Sequence, residues 1–347
     1  MSRYLITGGQ GFVGRYLVAH LLDTDRHADI LAVGRSTRDD RTFTHAVRWG
    51  GRTLLAPVPT PLRIPRRRSA QYRYEAVDIR DGPAVRLLLR TFAPDVVFHL
   101  AAGLRDDPPE HLFRTNVEGT IALLEALAES AIGVQKLVLG SSGSVYGAPS
   151  VGTMPVIDED APCVPLDLYA VSKLASEYAS RILTRRYAIP AVWARLFNLV
   201  GPGQDERHVC GRFAAQIAAI ARGVSPPLID VGDLTPTRDF IDVRDVAAAL
   251  LTLAAHGRPG DVYNVASGTE TPIEHVLMIT LRLAGLEKRV EIRRGAYHRP
   301  ADIPRHAGSV TRLAGLGVRR QYELERSLRD VLAYYHNDVS EAAGAAE

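Results

Sequence analysis

Thr7-Gly8-Gly9-Gln10-Gly11-Phe12-Val13-Gly14 joins the short apolar run Tyr4-Leu5-Ile6 to an amphipathic stretch over 12–23. An apolar run, then glycines, then a helical period predicts a strand, a tight turn and a helix. Each glycine has its own task in such a turn. Gly8 makes the turn, Gly11 lets backbone N–H groups approach a pyrophosphate at the helix N-terminus, and Gly14 lets helix and strand pack closely. The spacing is GxxGxxG, and its place between strand and helix reads as a dinucleotide-binding loop, with Phe12 and Val13 beside the ligand.

The same alternation runs outward from this loop. Apolar runs over 30–33, 95–100, 136–139 and 191–196 alternate with amphipathic stretches at 109–129 and 167–187. That rhythm predicts an α/β fold, a doubly wound parallel sheet of the Rossmann type. Beyond about residue 200 it loosens, with helices expected at 210–222, 243–256, 272–285 and 324–336. The expected organisation is a Rossmann domain of residues 1–190 with 229–259, a smaller interleaved C-terminal α/β substrate lobe of 191–228 with 260–338, and a frayed tail at 339–347. Residues 50–72 are rich in Pro and Arg, lack a clear period, and are expected to form a surface loop.

The 347 residues are 46% apolar and 23% charged, a balance that excludes a disordered or fibrous chain. Forty-two basic and 39 acidic residues leave a formal charge of +3, so neither nucleic acid nor a membrane surface is indicated as a partner. No stretch approaches the ~20 apolar residues of a membrane span. The N-terminus reaches glycine too soon for a secretory signal, and a cytoplasmic protein is expected. Cys163 and Cys210 form neither a disulfide framework nor a metal-type spacing, so no metal site is expected. Of the 42 basic residues only Lys136, Lys173 and Lys288 are lysine, which makes a lysine in a motif conspicuous.

One such lysine closes Tyr169-Ala-Val-Ser-Lys173, where Tyr and Lys stand four apart and leave one face of a predicted helix. A nearby ammonium and a nicotinamide cation favour the phenolate of a group whose ordinary pKa is about 10. Lysine's compact ammonium also suits a hydrogen bond to the nicotinamide ribose. Ser141-Ser142-Gly143-Ser144-Val145-Tyr146-Gly147 follows an apolar strand and so lies at the carboxyl edge of the sheet, where ligands of such folds bind. Ser142 there can hydrogen-bond a substrate oxygen beside Tyr169. After the second strand, where an acid would bind the ribose 2′-hydroxyl of NAD, stands Gly34-Arg35-Ser36-Thr37-Arg38. Arg35 can fork onto a 2′-phosphate and Ser36 can donate to it, so NADP(H) is the preferred coenzyme. NAD(H) remains possible, because Asp39 or Asp40 can reach a ribose.

These motifs continue through Val77-Asp78-Ile79, His99-Leu100-Ala101-Ala102, Asn116-Val-Glu-Gly-Thr120, Ala194-Arg-Leu-Phe-Asn198, Gly201-Pro-Gly203 and Arg238-Asp-Phe-Ile-Asp-Val-Arg-Asp245. With them the chain, over nearly its whole length, resembles the extended short-chain dehydrogenase/reductases that act on nucleotide sugars, the NAD-dependent epimerase/dehydratase family. The resemblance implies that Ser142, Tyr169 and Lys173 form the catalytic set. It places Asp78 near the adenine, and Ile79, Leu100, Ala101, Ala102 and Asn116 also at the coenzyme. It turns Ser144, Asn198, Arg238 and Arg299 toward the sugar nucleotide, and the two arginines suit phosphate because a guanidinium pairs bidentately. It further implies a homodimer through the helices at 109–129 and 167–187, which the apolar residues Leu168, Val171, Ala175, Tyr178 and Ile182 permit.

Within the family the pattern is most like the GDP-4-keto-6-deoxy-mannose reductases and also resembles the GDP-mannose 4,6-dehydratases. Those dehydratases carry an acid at the position of Ser144, because elimination needs a carboxyl to protonate the leaving hydroxyl, and serine cannot do so. The bifunctional epimerase-reductases use a cysteine at that position with a later histidine. His208 sits where such a histidine could lie, while Cys210 reads as a small packed residue. The expected activity is NADPH-dependent reduction of the 4-keto group of a nucleotide-linked 4-keto-6-deoxyhexose, GDP-linked by pattern. The alternatives are a nucleotide-sugar epimerase with tightly bound coenzyme and a non-catalytic NADP-binding regulator, the second disfavoured because both Tyr169 and Lys173 are present.

Overall fold

The apolar runs of the sequence form strands buried on both faces, as strands must be when helices cover both sides of a parallel sheet. The structure is a computed structural model, and it describes residues 2–37, 40–64, 70–148, 156–295 and 303–344. In chain order the first half comprises β1 (Arg3–Thr7), α1 (Phe12–Thr24), β2 (Asp29–Gly34), β3 (Thr42–Trp49), β4 (Arg52–Pro57), β5 (Tyr72–Ala76), α2 (Gly82–Phe92), β6 (Val96–His99), α3 (Pro109–Phe113), α4 (Gly119–Ser130), β7 (Lys136–Ser142) and α5 (Leu168–Arg186). The second comprises β8 (Ala191–Leu196), β9 (Asn198–Val200), α6 (Val209–Ala221), β10 (Leu228–Val231), β11 (Thr237–Asp242), α7 (Val243–His256), β12 (Val262–Val265), β13 (Glu270–Pro272), α8 (Ile273–Leu283), β14 (Glu291–Arg294), β15 (Arg305–His306), α9 (Thr311–Ala314), α10 (Leu324–Tyr334) and α11 (Ser340–Gly344).

Among the described residues seven strands form one parallel sheet in the order β5-β2-β1-β6-β7-β8-β12. From β1 the chain builds outward through β2 to β5, then returns to the other side of β1 and builds outward again from β6. The reversal leaves a crevice at the carboxyl ends of β1 and β6, the position at which such sheets bind ligands. On one face α1 and α7 bury Leu17, Leu21, Val246 and Leu250 against Ile6, Ile30 and Val138. On the other, α2 and α4 bury Leu88, Leu89, Leu123 and Leu127 against Leu5, Val97 and Leu137. Each fully buried side chain of this size contributes roughly 1.5–3 kcal/mol. The doubly wound α/β fold expected from the sequence is the fold observed.

The division of the chain differs from the one drawn from sequence. Residues 191–196 and 262–265, assigned above to the lobe, are β8 and β12 of the central sheet. Residues 228–231 instead pair as β10 with β14 outside that sheet. The runs Ala191–Leu196 and Val262–Val265 are buried on both faces, as strands of a helix-covered parallel sheet are. The second lobe is built from β10 and β14, from β13-β11-β15 with β9 on β11, and from α6, α8 and α10.

Two stretches expected to be irregular are ordered. Residues 52–57, within the expected surface loop, form β4 and pair with β3 as an antiparallel hairpin. Phe43, Val47, Trp49, Ala56 and Val58 of this hairpin are buried with Phe213, Ile217 and Tyr335 in the core of the second lobe. The hairpin stands between β2 and β5, neighbouring parallel strands that are more often joined by a helix. The expected frayed tail is folded as far as the description extends. Val339 is fully buried, Tyr335 donates to the backbone oxygen of Gln204 at 2.7 Å, and Tyr334 donates to that of Pro57 at 2.9 Å.

Candidate active site at the sheet edge

The crevice opens into a cleft of about 890 Å3 between the sheet edge and the second lobe. On the sheet side its wall includes Gly8, Gly11, Phe12, Val13, Gly14, Arg35, Ser36, Asp78, Ile79, Leu100, Ala101 and Ala102. Ser142, Ser144, Tyr169 and Lys173 join it from the end of β7 and from α5, and Asn198 and Arg238 from the lobe. The spacing of motifs along the chain therefore becomes a single surface. Arg299, expected at the sugar nucleotide, lies outside the described residues, as does Asp39.

The glycine loop is shaped by close backbone approach. Gly8 has φ +73°, and a Cβ there would stand 2.8 Å from the amide nitrogen of Ala101, while a Cβ on Gly14 would run into the carbonyl oxygen of Gly8. No side chain caps the N-terminus of α1 at Gly11, so the first-turn amides of a 13-residue helix face the cleft with their partial positive charge uncompensated. This cradle fits a dinucleotide pyrophosphate. Beyond it Arg35 and Ser36 stand exposed on the cleft wall, with Tyr74 donating to the backbone oxygen of Ser36 at 2.7 Å. Asp78 is held below its usual carboxylate range chiefly by hydrogen bonds from Arg80, whose Nη2 lies 2.7 Å from Oδ2.

Tyr169 and Lys173 leave one face of α5, whose first turn is fixed by Asp167: its carboxylate accepts from the amide of Ala170 at 2.8 Å. The guanidinium of Arg105, ion-paired with Asp167, lies 5.5 Å from the centre of the Tyr169 phenol ring. Burial raises the phenol above its usual pKa, against the smaller opposing effects of Ser142 and Arg105. The phenol therefore keeps its proton at neutral pH, as a proton donor must. Burial pushes Lys173 down to about 8, opposed by the carboxylate of Glu177. Its Nζ donates to the carbonyl of Gly140 at 2.6 Å. Ser142 and Ser144 are tied together, Oγ to Oγ at 2.9 Å.

Asn116 stands behind the cleft wall rather than on it. Its Oδ1 accepts from the amide of Gly103 and its Nδ2 donates to Ser172 Oγ, both at 2.8 Å, tying the loop after β6 to α5. His208 is the N-cap residue of α6, lies on the wall, and has its pKa lowered by burial. Cys210 is fully buried among apolar neighbours.

Sequence reasoning passed over Glu177 and Arg195. Glu177 accepts from Arg195 Nη2 at 2.7 Å and from Ser141 Oγ at 2.9 Å, and Arg195 lies opposite Ser141 in the β7–β8 register. One turn of α5 thus grips two consecutive residues of β7, Lys173 on Gly140 and Glu177 on Ser141. The i, i+4 spacing of Lys173 and Glu177 was an available signal. Thr44 and His45 of the hairpin, and His306 of β15, also reach the wall. Among the described residues no group of three or more His, Cys, Asp or Glu could hold a metal ion, and no helix is long and apolar enough to cross a membrane.

A glycine cradle at the switch point, with Ser, Tyr and Lys converging below it, defines a dinucleotide-dependent enzyme of the extended short-chain dehydrogenase/reductase class. The chain matches the NAD dependent epimerase/dehydratase family over residues 4–266, and it belongs to that family. It is 36% identical over 351 residues to the GDP-6-deoxy-D-mannose reductase of Pseudomonas aeruginosa, covering 98% of this chain and 99% of that one. It is 30% identical to the UDP-glucose 4-epimerase of Mycolicibacterium smegmatis, over 96% of this chain and 99% of that one. Among solved structures it superposes with a TM-score of 0.78 on RMD from Pseudomonas aeruginosa complexed with NADPH, at 29% identity, covering 97% of this chain and 100% of that one. The family's nucleotide-sugar reductases, dehydratases and epimerases share this architecture.

Proposed function

We propose that the protein reduces the 4-keto group of a nucleotide-linked, GDP-linked 4-keto-6-deoxyhexose with NADPH. The observation that carries the reading is the convergence of Ser142, Tyr169 and Lys173 on one wall of the glycine-lined cleft, with the phenol of Tyr169 held protonated. Reduction of a ketone requires a hydride and one proton. A nicotinamide coenzyme supplies the hydride when bound. Tyr169 gives its proton to the oxygen on carbon 4, Ser142 donates a hydrogen bond to that oxygen, and Lys173 stabilises the phenolate left behind. Gly8, Gly11 and Gly14 receive the pyrophosphate, and Arg35 with Ser36 binds the 2′-phosphate that distinguishes NADP(H). Arg238 and Asn198 hold the sugar nucleotide from the lobe, with Arg299 assigned to the same task by the motif it belongs to.

The similarity to a GDP-6-deoxy-D-mannose reductase supports the substrate class, and Ser144 supports reduction over dehydration, since a hydroxyl cannot serve as the acid for elimination. Leu168, Tyr178 and Ile182 are 50%, 55% and 68% exposed along α5, and a second copy of the chain would cover them in a homodimer, which analytical ultracentrifugation tests. The activity is tested by incubating the protein with GDP-, dTDP- and UDP-linked 4-keto-6-deoxyhexoses and NADPH, with products read by NMR. Reduction of the GDP-linked sugar in preference to the others is expected. Conversion of an intact GDP-hexose to its 4-keto-6-deoxy product would replace this reading with that of a dehydratase.

A further inference from the structure

His306 stands on β15 where the second lobe touches the serine loop. It is 6% exposed, its ring centre lies 4.9 Å from that of Phe197, and its Nε2 is 3.0 Å from the carbonyl oxygen of Gly143. A carbonyl oxygen can only accept, so Nε2 carries the proton and donates. Burial, opposed by the Gly143 bond and aided by the charges of Arg238 and Arg105, brings the imidazole down to about 4. The ring is therefore neutral at pH 7 and Nδ1 holds a lone pair. No described residue hydrogen-bonds Nδ1.

His306 shares the cleft wall with Ser142, Ser144, Tyr169 and Arg238. Gly143 lies between Ser142 and Ser144 in the chain, so the imidazole is anchored one residue from each of the two serines on the cleft wall. The charged groups facing it, Arg105 and Arg238, are donors only, and Phe197 supplies an apolar face. In this part of the cleft a neutral nitrogen acceptor suits a ligand group that has a proton to give. It would be repelled by a phosphate or carboxylate oxygen. We propose that His306 accepts, through Nδ1, a hydrogen bond from a ring hydroxyl of the hexose bound beside Tyr169, and is thereby a specificity-determining residue. The proposal rests on the nucleotide-sugar reading.

Two variants separate the ring's nitrogens. In His306→Gln the amide nitrogen reaches the Nε2 position and keeps the bond to Gly143, while the acceptor at Nδ1 is lost. In His306→Asn an amide oxygen takes the Nδ1 position. Binding is measured by calorimetry in the presence of NADPH, using the tightest ligand among GDP-mannose, dTDP-glucose and UDP-glucose, together with analogues of it that each lack one ring hydroxyl. The expected result is that one deoxy analogue binds the native protein about 2- to 13-fold more weakly than the parent. His306→Gln should bind the parent more weakly by the same factor and lose nothing further with that analogue, whereas His306→Asn should keep the parent's affinity within twofold. NADPH affinity should be unchanged in both, which reports that the fold is intact. Equal weakening for every analogue, an unchanged parent affinity in His306→Gln, or equal losses in the two variants would overturn the assignment. Failure of the native protein to bind any of the three nucleotide sugars would instead remove the nucleotide-sugar reading, and this role with it.

Discussion

Glu177→Gln removes a charge from beneath Lys173 with almost no change in side-chain volume. The Glu177 side chain has no solvent exposure and that of Arg195 is 4% exposed. The carboxylate accepts from Arg195 Nη2 at 2.7 Å, Arg195 Nε at 3.1 Å, Arg181 Nη2 at 2.8 Å and Ser141 Oγ at 2.9 Å. An amide offers one acceptor oxygen and turns two N–H groups toward these donors, leaving Arg195 buried and uncompensated. Loss of one member of such a pair costs about 3–5 kcal/mol, which urea unfolding registers directly. The same carboxylate opposes the desolvation of Lys173, so the ammonium, already at about 8, titrates lower in the variant. A step that needs the ammonium proceeds below that pKa and fails as pH rises through it, and the basic limb of kcat accordingly moves to lower pH. Replacing both partners, Glu177→Leu with Arg195→Met, should recover most of the stability but leave the limb displaced. A Glu177→Gln protein with native unfolding midpoint and native basic limb would refute the reasoning.

Tyr169→Phe should keep NADPH affinity within a few fold and lower turnover by roughly 10²–10⁴, the worth of a positioned acid, in a steady-state assay. Arg35→Ala should weaken NADPH relative to NADH by on the order of 1.5–3 kcal/mol, about 10- to 150-fold by fluorescence titration, because it removes a charge-assisted pair. Gly14→Ala puts a methyl group against the Gly8 carbonyl and should abolish coenzyme binding by fluorescence titration and lower the unfolding midpoint, because Gly14 is buried where α1 packs on the glycine loop.

The glycine loop, the serine loop and the Tyr169–Lys173 pair were legible because each is a local pattern attached to a strand end or a helix face. The parallel sheet followed from its buried strands, which read as apolar runs whatever lies between them. The pairing of Glu177 with Arg195 was not legible, because it is created by the β7–β8 register and the packing of α5 on β7, which no spacing along the chain shows. The hairpin was missed for a different reason. Phe43, Val47 and Trp49 do alternate at the period of a strand, but the Pro- and Arg-rich segment after them dominated the reading. His306 carries no motif, and its neighbour Gly143 is far away in sequence. Asn116 was expected at the coenzyme because the resemblance specifies residue types, whereas the side-chain direction that ties it to Ser172 is a tertiary fact.

The central claim, that this cleft transfers a hydride to carbon 4 and a proton from Tyr169 to its oxygen, is tested most directly by label transfer. The protein is given a GDP-linked 4-keto-6-deoxyhexose and NADPH deuterated at the transferred position, and the product is examined by NMR alongside NADPH absorbance. The account predicts deuterium on carbon 4 and one NADPH oxidised per sugar consumed, with the same label position at a far lower rate in Tyr169→Phe. A sugar product free of deuterium, formed without net NADPH oxidation, would contradict it.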